Sequence, residues 1–167
     1  PKKLGTDISG FGSYQSGFAF SIQKQFVIGC HYLNLRNSFS YLFPAPTNVK
    51  NTNVFGGGKG TRGKVYPGQN YTIFFSGEYS FSQHWVFAFD TEFEHYDRST
   101  FKGKNGNGNN GEELKVGLPS SESLTFAPGI EYNLAPNMGF LFGTRFSITG
   151  RNSSAFLSAF LSLVYIF

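Results

Sequence analysis

Long hydrophobic runs are missing from this 167-residue chain: Glu, Asp, Arg or Asn interrupts every apolar stretch. A membrane-spanning helix needs about 18 to 20 nearly uncharged apolar residues, so the sequence excludes a helical membrane protein. Cysteine is almost absent. With Cys30 alone, no internal disulfide can form, and the disulfide-stapled secreted scaffolds are excluded. Charge is scarce at 14% of residues, and no acid occurs between Ile8 and Gly77. The first residues, Pro1-Lys2-Lys3-Leu4-Gly5, lack the apolar core of a signal peptide, which suits a mature chain or a piece of a longer precursor.

What the chain does have is aromatic residues, 19% of the total, spread at a spacing of two. From Tyr71 to Phe81, Tyr71, Ile73, Phe75, Gly77, Tyr79 and Phe81 face one way while Thr72, Phe74, Ser76, Glu78 and Ser80 face the other. This strict alternation predicts a half-buried strand. Trp85, Phe87, Phe89 and Phe93 continue the pattern after Ser82-Gln83-His84, predicting a hairpin. The same period predicts strands from Leu124 to Leu134, from Met138 to Ile148 and from Ala155 to Phe167, with a turn at Ala135-Pro136-Asn137. Near the start it predicts a strand from Asp7 to Ile22, a turn around Gln23-Lys24, and a second strand from Phe26 to Arg36, with a continuation to Phe43 allowed by a bulge near Leu33. The chain reads as all-β and as a single domain over residues 1–167.

The connections alternate in length. Those near residues 23–25, 82–84 and 135–137 are short, whereas those at about 37–69 and 97–122 are long and rich in Gly, Asn, Lys and Ser. Short turns on one side and long loops on the other belong to transmembrane β-barrels, whose strands alternate between lipid and lumen. The expectation is therefore an antiparallel up-and-down transmembrane β-barrel. Seven strands are read and eight or more are expected in the complete barrel, because single-chain bacterial barrels have even strand numbers. That count favours the C-terminal part of a longer precursor.

Two stretches carry a family resemblance. The terminal Leu161, Leu163, Tyr165 and Phe167 resemble the membrane-insertion signal of outer-membrane β-barrel proteins of Gram-negative bacteria. The run Phe126-Ala127-Pro128-Gly129-Ile130-Glu131-Tyr132-Asn133-Leu134, followed by Asn137-Met138-Gly139 and by Phe146 to the C-terminus, resembles outer-membrane transporters related to meta-pathway phenol-degradation proteins. The resemblance implies a porin-like route for small, often hydrophobic solutes, with outer-membrane lipid, lipopolysaccharide and the barrel-assembly machinery as partners.

Alternation sends Glu78, Asp90, Glu92, Glu94, Glu131 and Arg145 away from the apolar face, where they would line a barrel lumen as a conduit or as a plugging polar network. Lys50, Lys59, Arg62 and Lys64 cluster in one long segment and predict a basic cell-surface loop, able to meet phosphates or anionic solutes. Nucleic acid is disfavoured, since the net charge is only +4 and no aromatic platform interleaves with those lysines. Gly58 to Gly63 spells G-x-G-x-x-G, but Tyr66-Pro67-Gly68 makes a turn where a nucleotide site needs a helix. The stretch from Gly103 to Gly111 holds no acid for calcium and reads as a flexible loop. His31, His84 and His95 show no ligand spacing and no assignable nucleophile, so neither a metal, a cofactor nor catalysis is expected.

The functional expectation is thus an outer-membrane channel or transporter for small solutes, located in the bacterial outer membrane. Two alternatives stay open: a structural or surface-interaction barrel with a plugged lumen, and a soluble β-barrel that binds a hydrophobic ligand.

Overall fold

A computed structural model describes residues 12–166. They contain β1 (Gln15–Ile28), β2 (His31–Pro44), β3 (Thr47–Lys50), β4 (Arg62–Tyr66), β5 (Asn70–Ser80) and β6 (Trp85–Tyr96). There follow β7 (Thr100–Lys104), β8 (Gly106–Asn107), β9 (Glu113–Leu114), β10 (Ser121–Ala135), β11 (Met138–Arg151) and β12 (Leu157–Tyr165). Three sheets result, ordered β1-β2-β5-β6-β10-β11-β12, β3-β4-β7 and β8-β9. The described chain divides into two compact units, one of residues 12–18, 41–70 and 96–121, the other of 19–40, 71–95 and 122–166.

The seven long strands neighbour one another in chain order, and side-chain contacts show them running in opposite senses. Ser21 Oγ lies 2.8 Å from Ser38 Oγ and Gln23 Nε2 donates to Asn34 Oδ1 at 3.0 Å, so β1 descends as β2 rises. Asn34 donates to Glu78 at 3.3 Å, Asn133 N donates to His84 O at 2.7 Å, and β11 pairs in antiparallel register with β12 from Met138 opposite Tyr165 to Phe146 opposite Leu157. Gly29, at φ 63°, turns β1 into β2 with Cys30 beside it. A two-residue hairpin with glycine first uses that left-handed conformation.

The expected barrel is corrected here. Among the described residues β1 and β12 are the two edges of an open sheet, and no pairing joins them. Alternation fixes which side chains share a face, but closure also requires the first and last strands to meet at a compatible tilt and stagger. Nothing local in the chain encodes that meeting. The lumen falls with the barrel, and the transmembrane and porin-like readings fall with the lumen.

Further corrections are local. The chain passes straight through Gln23-Lys24, which lie inside β1, and turns at Gly29-Cys30 instead. Residues 7–11 of the expected first strand and Phe167 of the expected insertion signal lie outside the described residues. The segments expected to be long loops carry β3, β4, β7, β8 and β9, and they hold a buried apolar cluster of Val49, Phe55 and Val65 packed by Val54, Phe101 and Val116. The long sheet, by contrast, leaves much of its apolar face open, with Phe20 63% and Phe142 53% exposed. No helix among the described residues is long and apolar enough to cross a membrane.

Candidate functional site

The strongest assembly of charge lies on the three-stranded sheet. Along β4, Val65 is fully buried in the apolar cluster, so Arg62, Lys64 and Tyr66 occupy the opposite face. Pairing carries the alternation sideways. Arg62 stands between Lys50 of β3 and Lys104 of β7, and Lys64 stands between Asn48 and Lys102. Five cations from three chain segments thereby share one exposed face.

Glycines on the buried side allow this. A Cβ on Gly63 would lie 2.6 Å from the Phe101 ring, and one on Gly103 would lie 2.5 Å from the backbone of Arg62 and Gly63. Side chains there would push β4 and β7 apart. Lys64 and Lys102 each place their Nζ over the half-buried Tyr66 ring, 5.8 and 5.5 Å from its centroid. Among the described residues none of the five makes an ion pair with an acid. Two acids of this unit make local hydrogen bonds: Glu113 accepts from Asn105 Nδ2 at 2.9 Å and Glu112 from Asn110 N at 3.1 Å.

Of the basic residues expected to cluster, Lys50, Arg62 and Lys64 do so, while Lys59 is drawn aside by a backbone bridge to Asn107. Lys102 and Lys104 were missed. Their signal was present, since Lys102-Gly103-Lys104 repeats the spacing of Arg62-Gly63-Lys64, but it lay in a segment read as loop. The G-x-G-x-x-G stretch is no phosphate cradle. Gly58 N donates to Thr61 Oγ1, Lys59 N to Asn107 O, Gly60 N to Asn51 Oδ1 and Thr61 N to Gly58 O, so its amides are spent within the chain.

A second polar cluster sits on the long sheet. Arg145 Nη2 lies 3.1 Å from Glu92 Oε1 and 3.4 Å from Thr125 Oγ1, and with Asp90 these groups line a cavity of about 50 Å3. Glu94 is next along. Burial pushes its carboxyl above the usual value of 4.5, the Glu92 charge and a hydrogen bond with Glu92 add to that, and Arg145 and Ser123 oppose it. Glu78 receives its bond from Asn34, and Glu131 stands opposite Leu141 in the β10–β11 ladder. With the sheet open, these residues line a face.

The histidines hold strands together. His31 Nδ1 lies 3.1 Å from Ser80 O, His84 Nδ1 lies 2.7 Å from Asn133 O, and His95 stacks on Tyr71 with Glu122 at 3.7 Å. Among the described residues no group of three or more His, Cys, Asp or Glu side chains is placed to hold a metal ion. Leu161, Leu163 and Tyr165 lie on the edge strand β12, opposite Phe142, Phe140 and Met138.

The chain matches no protein-family model, and no curated protein matches its sequence. The likeness to outer-membrane barrels and to the phenol-pathway transporters is corrected by the open sheet, since the fold it implied is a closed barrel and no pairing joins β1 to β12 among the described residues. A channel function, an outer-membrane location, and lipid, lipopolysaccharide and assembly-machinery partners each depended on a closed barrel. They are corrected with it.

Proposed function

We propose that this chain is a non-catalytic binding protein whose ligand is a linear phosphate polyanion, held on the basic face of β3, β4 and β7. One observation carries the reading: Lys50, Arg62 and Lys104 stand side by side across three strands, and Lys64 stands beside Lys102, with no acid between them. Like charges directly opposite on a sheet repel and destabilise it. A multiply charged anion laid across the rungs turns that repulsion into attraction.

The face suits a phosphate chain better than nucleic acid. Single-stranded nucleic acids are held by rows of aromatic platforms, and here Tyr66 is already covered by Lys64 and Lys102. A non-catalytic role is supported by the histidines, each engaged in cross-strand contact at a separate site.

Titration calorimetry with inorganic tripolyphosphate tests this. Binding should be measurable at low salt and should weaken as salt screens exposed charges. Replacing both Lys64→Gln and Lys102→Gln should cost about tenfold in affinity, as expected from two exposed charge contacts. Absence of binding at low salt, no response to the double substitution, or tighter binding of a single-stranded oligonucleotide of equal charge would each overturn the assignment.

A further inference from the structure

A cavity of about 250 Å3 lies wholly within the unit of residues 12–18, 41–70 and 96–121, apart from the basic face. Its walls are largely apolar: Pro44, Phe55, Pro67, Leu118 and Pro119 line it. Phe55 is only 3% exposed and joins the buried apolar cluster, so that wall is fixed by the unit's own core. The segment bearing Pro67 and Gly68 is held by Asp97 N, which donates to Gln69 O at 2.8 Å. At Gly68 itself a Cβ would strike the Asp97 backbone, so glycine sets this close approach.

The polar lining decides what the cavity can take. Ser99 is spent, because its hydroxyl accepts from Leu118 N at 2.6 Å and its backbone N–H donates to Leu118 O at 3.0 Å. Asn70 differs. It opens β5, lines the cavity, is only 7% exposed, and its side-chain amide makes no hydrogen bond to any described residue. Ser13 Oγ, and not the Asn70 amide, is the buried side-chain polar atom left unsatisfied among the described residues, so the Asn70 amide reaches the cavity space and can pair with a ligand group there. The amide offers two N–H donors and one carbonyl acceptor, a set that another carboxamide complements in reverse. A carboxylate has acceptors only and leaves the Asn70 carbonyl without a donor, so an anion satisfies only half of this set.

We infer that this cavity binds a small, flat, uncharged molecule, a single ring bearing a carboxamide, with the ring against the proline and Phe55 walls and the carboxamide on Asn70. The volume suits one ring and its substituent and lies just below the usual range for drug-sized ligands.

Benzamide, benzoate and toluene are the probes, observed by ligand-detected NMR and titration calorimetry on the whole chain. Benzamide should bind saturably with a Kd of about 1 mM, in keeping with its few heavy atoms, and benzoate at least about tenfold more weakly. Asn70→Leu should abolish the preference for benzamide over toluene. Leu118→Trp, which fills the cavity from a half-exposed position and leaves Asn70 in place, should remove binding of all three while circular dichroism stays unchanged. Equal binding of benzamide and benzoate, no benzamide binding at concentrations about tenfold above that Kd, or binding that survives Leu118→Trp would overturn the site. Tripolyphosphate binding should be indifferent to both substitutions, which separates this site from the basic face.

Discussion

Glu94 shows how one residue reports the strain of its surroundings. Its carboxyl titrates above the usual value first because it is partly buried and next because Glu92 lies beside it; Arg145 and Ser123 only partly relieve this. A folded-state pKa raised above the unfolded one means that the folded chain binds the proton more tightly. That contribution to stability is complete below the unfolded value and is lost as pH rises through the folded one. At neutral pH, ionised Glu94 is therefore a liability, and Glu94→Gln should raise the urea midpoint there, the gain vanishing as pH falls below the usual carboxylate range. Urea melts across a pH series check this, and a lower midpoint for the variant at neutral pH would contradict it. Arg145 has the opposite role. It bridges Glu92 at 3.1 Å, so Arg145→Met should destabilise the chain more at neutral than at acidic pH.

At the level of elements, the small β3-β4-β7 sheet depends on its buried side. Val65 is fully buried at the centre of that sheet, and Val65→Ala should lower stability by about 2 kcal/mol through lost burial and the cavity left behind. Thermal melts measure the loss, and tripolyphosphate affinity should fall with it because the basic face is the reverse of the same strand. How legible these elements were depends on their length. In β5, β6, β10 and β11 an apolar repeat runs for nine residues or more, and the strands lie close to where the alternation places them. Around Gln23-Lys24 polarity misled: Gln23 accepts from Arg36 Nε at 3.0 Å and donates to Asn34, so the polar side chains there serve cross-strand pairing inside β1. The strands β3, β4 and β7, of four or five residues, are too short for a period to emerge. What makes them pack is the approach of Gly63 to Gly103, a contact between distant segments that spacing along the chain does not reveal. For the same reason three of the five basic residues were found and their assembly was not.

Over the molecule as a whole, one end of the long sheet concentrates exposed apolar surface. Ile130, Phe142 and Leu161 form one rung across β10, β11 and β12, and Tyr132, Phe140 and Leu163 form the next; every one of these side chains is exposed, Leu161 to 73%. Contiguous apolar patches of this kind mark surfaces that find a partner or cause association. The adjoining edge adds to the hazard. Natural edge strands are commonly blunted by lysine, proline or a bulge, yet β12, Leu-Ser-Ala-Phe-Leu-Ser-Leu-Val-Tyr, has neither charge nor proline and keeps an unbroken register with β11. The isolated chain should therefore self-associate as its concentration rises and should bind an apolar fluorescent dye in its folded state. Leu161→Lys places a charge in the middle of both the patch and the edge, at a site exposed enough that stability should change by no more than about 0.5 kcal/mol. Sedimentation velocity should then show smaller species than the parent at equal concentration, with reduced dye fluorescence. A parent that stays monomeric over the whole concentration range, or a variant that associates as strongly, would mean that neither the rungs nor the uncharged edge governs association.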